Sequence, residues 1–288
     1  MFEPPLKRLI MQTETLVAAC VQMVSGTNVT ENLKSAEQGI AKAANQGANL
    51  VVLPEYFCIM GQEDTDKVAI AEDYRASSPD ASTPIQLFLQ QQAMQHGVYL
   101  IGGTLPLKTS DADKVYNTTL VYAPDGAVVA RYDKIHLFGF QNGLEYYDES
   151  NTIMAGELAQ APVVWDSPWG RIGLSICYDV RFPELYRAAR DVLAWVNVAA
   201  FTQTTGQAHW ELLMRARAVE NQCYVIACGQ GGEHENGRRT FGHSMIVDAW
   251  GIVQAVQATG EGVVMSVIKP SRVERVRTSI PALKHRVL

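Results

Sequence analysis

The sequence predicts a layered α/β protein that contains a mixed sheet. Apolar runs of strand length alternate with segments of helical periodicity along most of the chain, and hairpin signals lie among them. Of the 288 residues, 47% are apolar and 19% are charged, which is enough material to bury a large core. No linker, low-complexity tract or short repeat interrupts the pattern. We therefore expect a tail over residues 1–14 and a single domain over residues 15–288.

The first part of the chain has a strand–helix–strand pattern. An apolar run at residues 16–23 is rich in strand formers, and residues 30–45 repeat apolar side chains at spacings of three and four. Residues 50–53 are continuously apolar, as in a strand that is covered on both faces, and Pro54 and Glu55 end the run. The pattern indicates a β-α-β beginning.

The alternation continues through the rest of the chain. Asp125-Gly126 marks a hairpin between strands at 118–122 and 127–132, and a strand at 172–176 leads into Cys177. The other predicted helices lie at 84–95 and 209–220, and the other predicted strands at 98–101, 193–198, 224–227, 244–247 and 252–256.

Charge, hydropathy and cysteine content exclude several classes of protein. The net charge is −6 and no run of Lys and Arg builds a positive surface, so neither nucleic acid nor an anionic membrane is an expected partner. The first 13 residues have no apolar core of signal-peptide length, and no run approaches the ~18 to 20 apolar residues that cross a bilayer. The five cysteines form no CxxC pair, which fits free thiols in a reducing compartment. We expect a cytoplasmic protein.

Three reactive side chains each follow an apolar strand: Glu55, Lys134 and Cys177. A thiol with a pKa of ~8.5 needs a base or a cation to attack an amide. Glu55 would take the thiol proton and return it to the departing amine, and the ammonium of Lys134 would stabilise the thiolate and the oxyanion. The backbone N–H of Tyr178 would be a second oxyanion donor. Strand-end residues of these types are also common as buried thiols, caps and surface ion pairs, so spacing alone leaves the question open.

Three motifs resemble those of one enzyme family. Residues 173–185, Gly-Leu-Ser-Ile-Cys-Tyr-Asp-Val-Arg-Phe-Pro-Glu-Leu, resemble the nucleophile motif of the nitrilase, or carbon–nitrogen hydrolase, superfamily. Leu53-Pro54-Glu55 resembles the base motif of that family, and residues 132–138 resemble its lysine motif. The resemblance implies a four-layer α-β-β-α sandwich, a Glu-Lys-Cys catalytic triad and a thioester intermediate. It also implies no metal or organic cofactor, and pairing of protomers into a homodimer or a higher homo-oligomer.

The resemblance also implies a second glutamate after the lysine motif. Glu149 fits that position, and Glu145 is the alternative. For substrate binding, we expect donors from Arg181 and from a Thr-rich loop at 202–205 that includes Thr204, and His209 is a further candidate for lining the pocket. The segment between Tyr186 and the end of the next strand is shorter than in relatives, which puts the position of Arg181 and of this loop in question.

Residues 201–211 and 215–222 are similar to amidases that act on deaminated glutathione and on omega-amides of 2-oxo acids, and residues 241–248 favour the first. The sequence therefore predicts an amidase for a small substrate that carries a carboxylate. An omega-amidase and a non-catalytic binding protein of the same fold are the alternatives. A glutaminase that pairs Cys with a His base is a further one, although Cys177 lacks the Gly-x-Cys-x-Gly elbow of that class.

Overall fold

The computed structural model describes residues 15–287, so the predicted tail over 1–14 lies outside the described residues. The helices are α1 Val29–Asn45, α2 Asp66–Ala69, α3 Pro84–His96, α4 Pro183–Ala188, α5 Gln203–Asn221 and α6 Pro270–Ser279. Strands β1 to β8 are Leu16–Gln22, Leu50–Val52, Tyr99–Ile101, Leu105–Lys108, Val115–Tyr122, Val128–Asp133, Gly139–Gln141 and Tyr146–Asp148. Strands β9 to β15 are Val164–Ser167, Gly170–Ile176, Val192–Ala199, Tyr224–Gly229, Ser244–Val247, Val253–Gln257 and Gly262–Ile268.

The strands form two large mixed sheets and one small hairpin. A seven-stranded sheet has the order β15-β1-β2-β3-β5-β4, with β6 paired to β5, and a six-stranded sheet has the order β14-β13-β12-β11-β10-β9. Pairs β1/β2, β2/β3, β10/β11 and β11/β12 are parallel, and the other pairs are antiparallel. Among residues 15–287, strands β7 and β8 pair only with each other. The mixed α/β class predicted from the sequence is confirmed.

The two large sheets face each other. Cys228 of β12 has its Sγ 3.3 Å from Val21 O and 3.2 Å from Val52 O, so β12 lies directly against β1 and β2. Side chains alternate between the faces of a strand, and Ala18 and Cys20 of β1 share a core with the six-stranded sheet. Ala19 and Val21, which point to the other face of β1, pack in a core with α1 and α3 instead. Helix α5 covers the outer side of the six-stranded sheet, so the order through the molecule is helix, sheet, sheet, helix.

Helix α1 shows why the predicted periodicity was informative. Asn28 caps the helix by accepting the N–H of Glu31 at 3.2 Å, which satisfies one of the free backbone donors of the first turn. Ala36, Ile40 and Ala43 are buried on one face, as the spacing predicts. Gly39 lies on the same side, where a Cβ would stand 2.3 Å from Cγ1 of Val21. The absence of that carbon lets the helix approach β1 closely.

The sequence predicted a loop at residues 202–205, and the structure corrects this prediction. These residues form the N-cap and the first turn of α5, which begins six residues before the predicted start at 209. Thr202 accepts the N–H of Thr205 at 3.3 Å and caps the helix. Thr and Gly in the first turn have low helix propensity, which explains why the sequence pattern began only at His209.

Strand β15 and helix α6 were absent from the predicted elements. Strand β15 pairs antiparallel with β1 over seven residues, from Leu16 opposite Ile268 to Gln22 opposite Gly262. Helix α6 buries only Val273 and Val276, so its apolar face is too narrow to give a periodic signal. Within residues 15–287, no helix is both long enough and apolar enough to cross a bilayer.

Candidate active site

Lys134 lies between two carboxylates. It follows β6 directly, and its Nζ is 2.9 Å from Oε1 of Glu55 and 2.8 Å from Oε2 of Glu149. The side chains of Lys134 and Glu55 are 0% and 1% exposed. Burial by itself lowers the pKa of Lys134, but the charges of Glu149 and Glu55 outweigh it, so the net pKa is raised. The lysine is therefore an ammonium at neutral pH.

Glu55 is held by hydrogen bonds to both of its carboxylate oxygens. Besides Lys134, Asn117 donates from Nδ2 to Oε1 at 2.9 Å, and the backbone N–H of Ala200 donates to Oε2 at 2.7 Å. Asn117 belongs to β5, whereas Ala200 follows β11 of the other sheet. Glu55 thus lies where the two sheets meet, and its carboxylate has a fixed orientation.

Glu149, and not Glu145, is the second glutamate in contact with Lys134. Its Oε2 also accepts the N–H of Phe138 at 2.7 Å, and its Oε1 accepts the hydroxyl of Tyr56 at 2.9 Å. Burial raises the pKa of Glu149, but Lys134 and these hydrogen bonds lower it overall, so the carboxylate is ionised at neutral pH. Glu145 lies in the turn between β7 and β8, where it accepts a hydrogen bond from Thr204.

Cys177 is the first residue after β10 and begins a 3-10 turn, Cys177–Arg181. Its φ is +46°, a left-handed conformation that is rare for a residue with a Cβ. Asp179 in the same turn accepts the N–H of Ile176 and the hydroxyl of Tyr132, both at 2.8 Å. The turn is therefore tied to the strand that precedes Lys134. Cys177 is 7% exposed and lines one cavity together with Glu55 and Glu149.

The resting sulfur of Cys177 is a thiol. Burial raises its pKa well above the usual value, and Glu55 raises it further. Lys134 acts in the opposite direction without overcoming these effects, and Glu149 adds to the increase. A proton must therefore leave the sulfur as it attacks, and Glu55 is the carboxylate with the largest influence on it.

The candidate substrate-binding residues lie in different places. Tyr178 lines the cavity beside Cys177. The guanidinium of Arg181 stands 5.2 Å from the ring centroid of Phe201, and its Nη1 is 3.3 Å from Nδ1 of His209, which is exposed on α5. Thr204 is also exposed and donates to Oε2 of Glu145 at 2.8 Å. The N-cap Thr202 and Thr205, whose N–H it accepts, line the cavity instead.

Arg238 was missed by the sequence analysis. It lies in the segment between β12 and β13 and lines the cavity of Cys177. Its Nη2 donates to the carbonyl of Ala200 at 3.0 Å, one peptide unit from the N–H that binds Glu55. The only sequence signal was a pair of arginines after Gly237 in a polar stretch, which resembles an ordinary exposed turn.

No histidine from the described part of the chain lines the cavity of Cys177. His209 is turned toward Arg181, and His136 has its Nδ1 2.7 Å from Oδ1 of Asp179. The site therefore offers a carboxylate and an ammonium to the sulfur, rather than the imidazole that a Cys–His glutaminase requires.

Comparison with known proteins shows the family of this chain. The model of the carbon–nitrogen hydrolase family matches residues 17–278. The chain is 44% identical over 278 residues to a deaminated glutathione amidase of Synechocystis sp., covering 94% of this chain and 98% of that protein. It is 37% identical over 275 residues to omega-amidase NIT2 of Mus musculus, covering 94% and 95%. The crystal structure of Saccharomyces cerevisiae Nit3, a member of branch 10 of the nitrilase superfamily, matches with a TM-score of 0.83 and 31% identity, covering 95% and 97%.

Proposed function

This chain belongs to the carbon–nitrogen hydrolase family and hydrolyses non-peptide carbon–nitrogen bonds; on that premise we propose that it is an amidase for a small substrate that carries a carboxylate, such as deaminated glutathione. The observation that carries the proposal is the buried cluster of Glu55, Lys134 and Glu149 beside Cys177. Buried ion pairs cost desolvation energy and are weak evidence of stabilisation. Their position next to a nucleophile supports a catalytic role.

In the proposed acylation step, the sulfur of Cys177 attacks the amide carbon while Glu55 takes its proton. A carbon–sulfur bond forms and the carbonyl oxygen becomes an oxyanion. Glu55 then gives the proton to the nitrogen, the carbon–nitrogen bond breaks, and ammonia or an amine departs. The acyl group remains on Cys177 as a thioester.

In the proposed deacylation step, a water molecule takes the place of the departed amine. Glu55 removes one of its protons as the oxygen attacks the thioester carbon. The carbon–sulfur bond then breaks, the sulfur recovers a proton, and the product leaves as a carboxylic acid. One carboxylate thus acts as base and acid in both halves of the reaction.

Lys134 has a different part in the proposal. An ammonium has three donors and no acceptor, so it does not take the thiol proton, but it stabilises negative charge on the attacked oxygen. The backbone N–H of Tyr178 is proposed as the second donor to that oxygen. Glu149 holds Lys134 in place through the contact at 2.8 Å and keeps it charged.

The substrate class rests on the relatives and on cations near the cavity. The most similar relatives include a deaminated glutathione amidase and an omega-amidase, and both names describe amides of acids. Arg181 at the surface near Phe201, together with the half-buried Arg238, gives the region positive charge that would attract a carboxylate. The higher identity to the deaminated glutathione amidase, 44% against 37%, decides the order of the two candidates.

A substrate panel tests the proposal. Purified protein is assayed for release of ammonia or amine from deaminated glutathione, 2-oxoglutaramate, a simple neutral amide and a nitrile, with Cys177→Ala as the blank. We expect turnover of the carboxylate-bearing amides, with deaminated glutathione the best substrate, and none of the nitrile. Dominant nitrile hydrolysis would overturn the substrate class. No turnover, together with no covalent adduct at Cys177 by mass spectrometry, would support a non-catalytic binding protein.

We further propose a homo-oligomer that assembles through the outer face of α5. Leu212 and Val219 of this helix are 66% and 51% exposed, and Trp250 of the nearby β13–β14 turn is 49% exposed. Apolar patches of this kind are typical of protein interfaces. Light scattering on the wild type and on Leu212→Glu would show a loss of the oligomer in the variant. A reducing compartment such as the cytoplasm is part of the proposal, because the nucleophile is a free thiol.

A further inference from the structure

Arg238 lies between two cavities that meet beside the nucleophile. The inner cavity is lined by Cys177 and Glu55, and the outer one by Tyr56, Lys67 and other residues toward the surface. Arg238, Phe138 and Glu149 line both cavities. A substrate whose amide carbon reaches Cys177 would therefore place the remainder of its acyl group next to the guanidinium.

The guanidinium of Arg238 has spare hydrogen-bonding capacity. Its Nε is buried and has no acceptor among residues 15–287, and its Nη1 makes a long contact of 3.9 Å with the Sδ of Met60. Two other arginines of low exposure are paired with carboxylates, Arg217 with Glu220 at 2.6 Å and Arg272 with Asp248 at 2.9 Å. Within the described residues, Arg238 has no such partner. A buried donor without an acceptor is costly, so a ligand that supplies one gains that free energy.

The position of Arg238 is fixed before any ligand arrives. Its backbone N–H donates to Oδ1 of Asn236 at 2.9 Å, and its carbonyl accepts the N–H of His234 at 2.9 Å. The side chain lies over the ring of Tyr147 at 5.2 Å and is bound to the carbonyl of Ala200. Because these contacts hold the side chain already, little conformational entropy is lost when an anion binds.

We propose that Arg238 binds the carboxylate on the acyl part of the substrate and so selects amides that carry one. The inference rests on the proposed function and assigns this residue to its specificity. The planar guanidinium matches the geometry of a carboxylate, and its pairing with one is stronger than a neutral hydrogen bond. Arg181 is less suited to the acyl side, because it lies over Phe201 and beside the exposed His209.

A purely electrostatic role is the alternative. Glu55 and Glu149 together carry one more charge than Lys134 neutralises, and Arg238 lies close enough to balance it. Such a role would affect all amides alike, whereas carboxylate binding affects only the anionic ones. The two roles are therefore separated by a pair of substrates that differ in one charge.

The first measurement compares kcat/KM for succinamate, which has a carboxylate, and succinamide, which has a neutral amide in its place. Arg238→Gln is expected to lower kcat/KM for succinamate by about 10- to 100-fold, mainly through KM, and to change succinamide turnover far less. Arg238→Lys should recover part of the loss. The matched control is Arg239→Gln, since Arg239 is exposed and paired with Glu233, and it should change neither value by more than about twofold. Equal losses on both substrates would overturn the proposal.

The second measurement does not depend on turnover. Cys177 is alkylated with iodoacetate, an anion, or with neutral iodoacetamide; in each case a sulfur–carbon bond forms and iodide leaves. The ratio of the two rates at Cys177, read by peptide mass spectrometry, cancels any change in thiol ionisation. We expect Arg238→Gln to lower the iodoacetate-to-iodoacetamide ratio by about tenfold and Arg239→Gln to leave it unchanged. An unchanged ratio in Arg238→Gln would overturn the proposal. If the wild type turns over neither amide, the proposed function fails while this ratio still decides the role of Arg238.

Discussion

Lys134 and Glu55 form an ion pair of 2.9 Å in which neither side chain exposes more than 1% of its surface. Removing two charges from water costs several kcal/mol per ion, and their attraction restores only part of it unless further hydrogen bonds are made. Asn117 and Ala200 supply such bonds to Glu55, and Glu149 supplies a second carboxylate to Lys134. Changes in this cluster should therefore affect activity and stability to different degrees.

Glu55→Gln keeps the shape of the side chain and removes the base. We expect kcat to fall by about 10²- to 10⁴-fold, the usual contribution of general acid–base catalysis. Ammonia release under saturating substrate measures the loss. The matched control is Glu72→Gln, since Glu72 is also a buried carboxylate and accepts the N–H groups of Ile85 and Gln86 away from the site. Retained activity in Glu55→Gln, or an equal loss in Glu72→Gln, would contradict the assignment of the base.

Lys134→Met leaves two buried carboxylates facing each other. Breaking a buried pair by removing one partner costs about 3 to 5 kcal/mol, so we expect a decrease of that size in the free energy of unfolding, measured with urea. The double variant Lys134→Met/Glu149→Gln removes one of the two charges and should recover part of the stability but none of the activity. A single variant as stable as the wild type would show that the cluster is not ionised as described.

The ionisation of Glu149 should be visible in the pH dependence of the free energy of unfolding. Burial raises the pKa of Glu149 in the folded protein, but Lys134 outweighs it and the net pKa is lowered. Its contribution to the free energy of unfolding is therefore fully present above the unfolded pKa of about 4.3 and is lost as the pH falls through the folded value. For Lys134 the folded pKa is raised, and its contribution is lost only at strongly alkaline pH. Urea midpoints between pH 3 and pH 7 should therefore fall less steeply toward acid in Glu149→Gln than in the wild type. Parallel curves would contradict this.

The positive φ of Cys177 predicts a reversal of an ordinary stability order. A left-handed conformation costs a residue with a Cβ about 1 to 2 kcal/mol, whereas glycine adopts it freely. Cys177→Gly should therefore be more stable than Cys177→Ala by about 1 kcal/mol, although both are inactive. Cys223 is also buried and lacks a positive φ, so at that position the alanine variant should be the more stable. The four unfolding curves test the strain directly, and the same order at both positions would exclude it.

The sequence located the residues that follow strands. Glu55, Lys134 and Cys177 each follow an apolar run, which made them candidates. Spacing alone left open whether they meet, and it was the family resemblance that implied a triad. The alternating strands and helices were also predictable, because burying one face of an element requires apolar residues at regular spacings. The predicted start of α5 was wrong, because its first turn contains Thr and Gly, which have low helix propensity.

Arg238 could not be found in this way. It lies in a polar segment with no apolar period, and its side chain is held beside the site by a hydrogen bond from Nη2 to the backbone carbonyl of Ala200. The choice between Glu149 and Glu145 was open for a similar reason, since they lie four residues apart in one polar stretch. Contacts made by backbone groups, such as the N–H of Ala200 on Glu55, have no side-chain signature in a sequence.

The pairing of β1 with β15 has a consequence for how the chain folds. Strand β1 is an inner strand, and its neighbour on one side is supplied by residues 262–268. Contacts between residues so distant in sequence form slowly, because a very long loop must close first. During synthesis on the ribosome, the exposed edge of β1 stays unpaired until residues 262–268 have emerged, and an unpaired edge can recruit other chains. We expect the seven-stranded sheet to be completed only once residues 262–268 have been synthesised, and the interval before that to be the period of greatest aggregation risk.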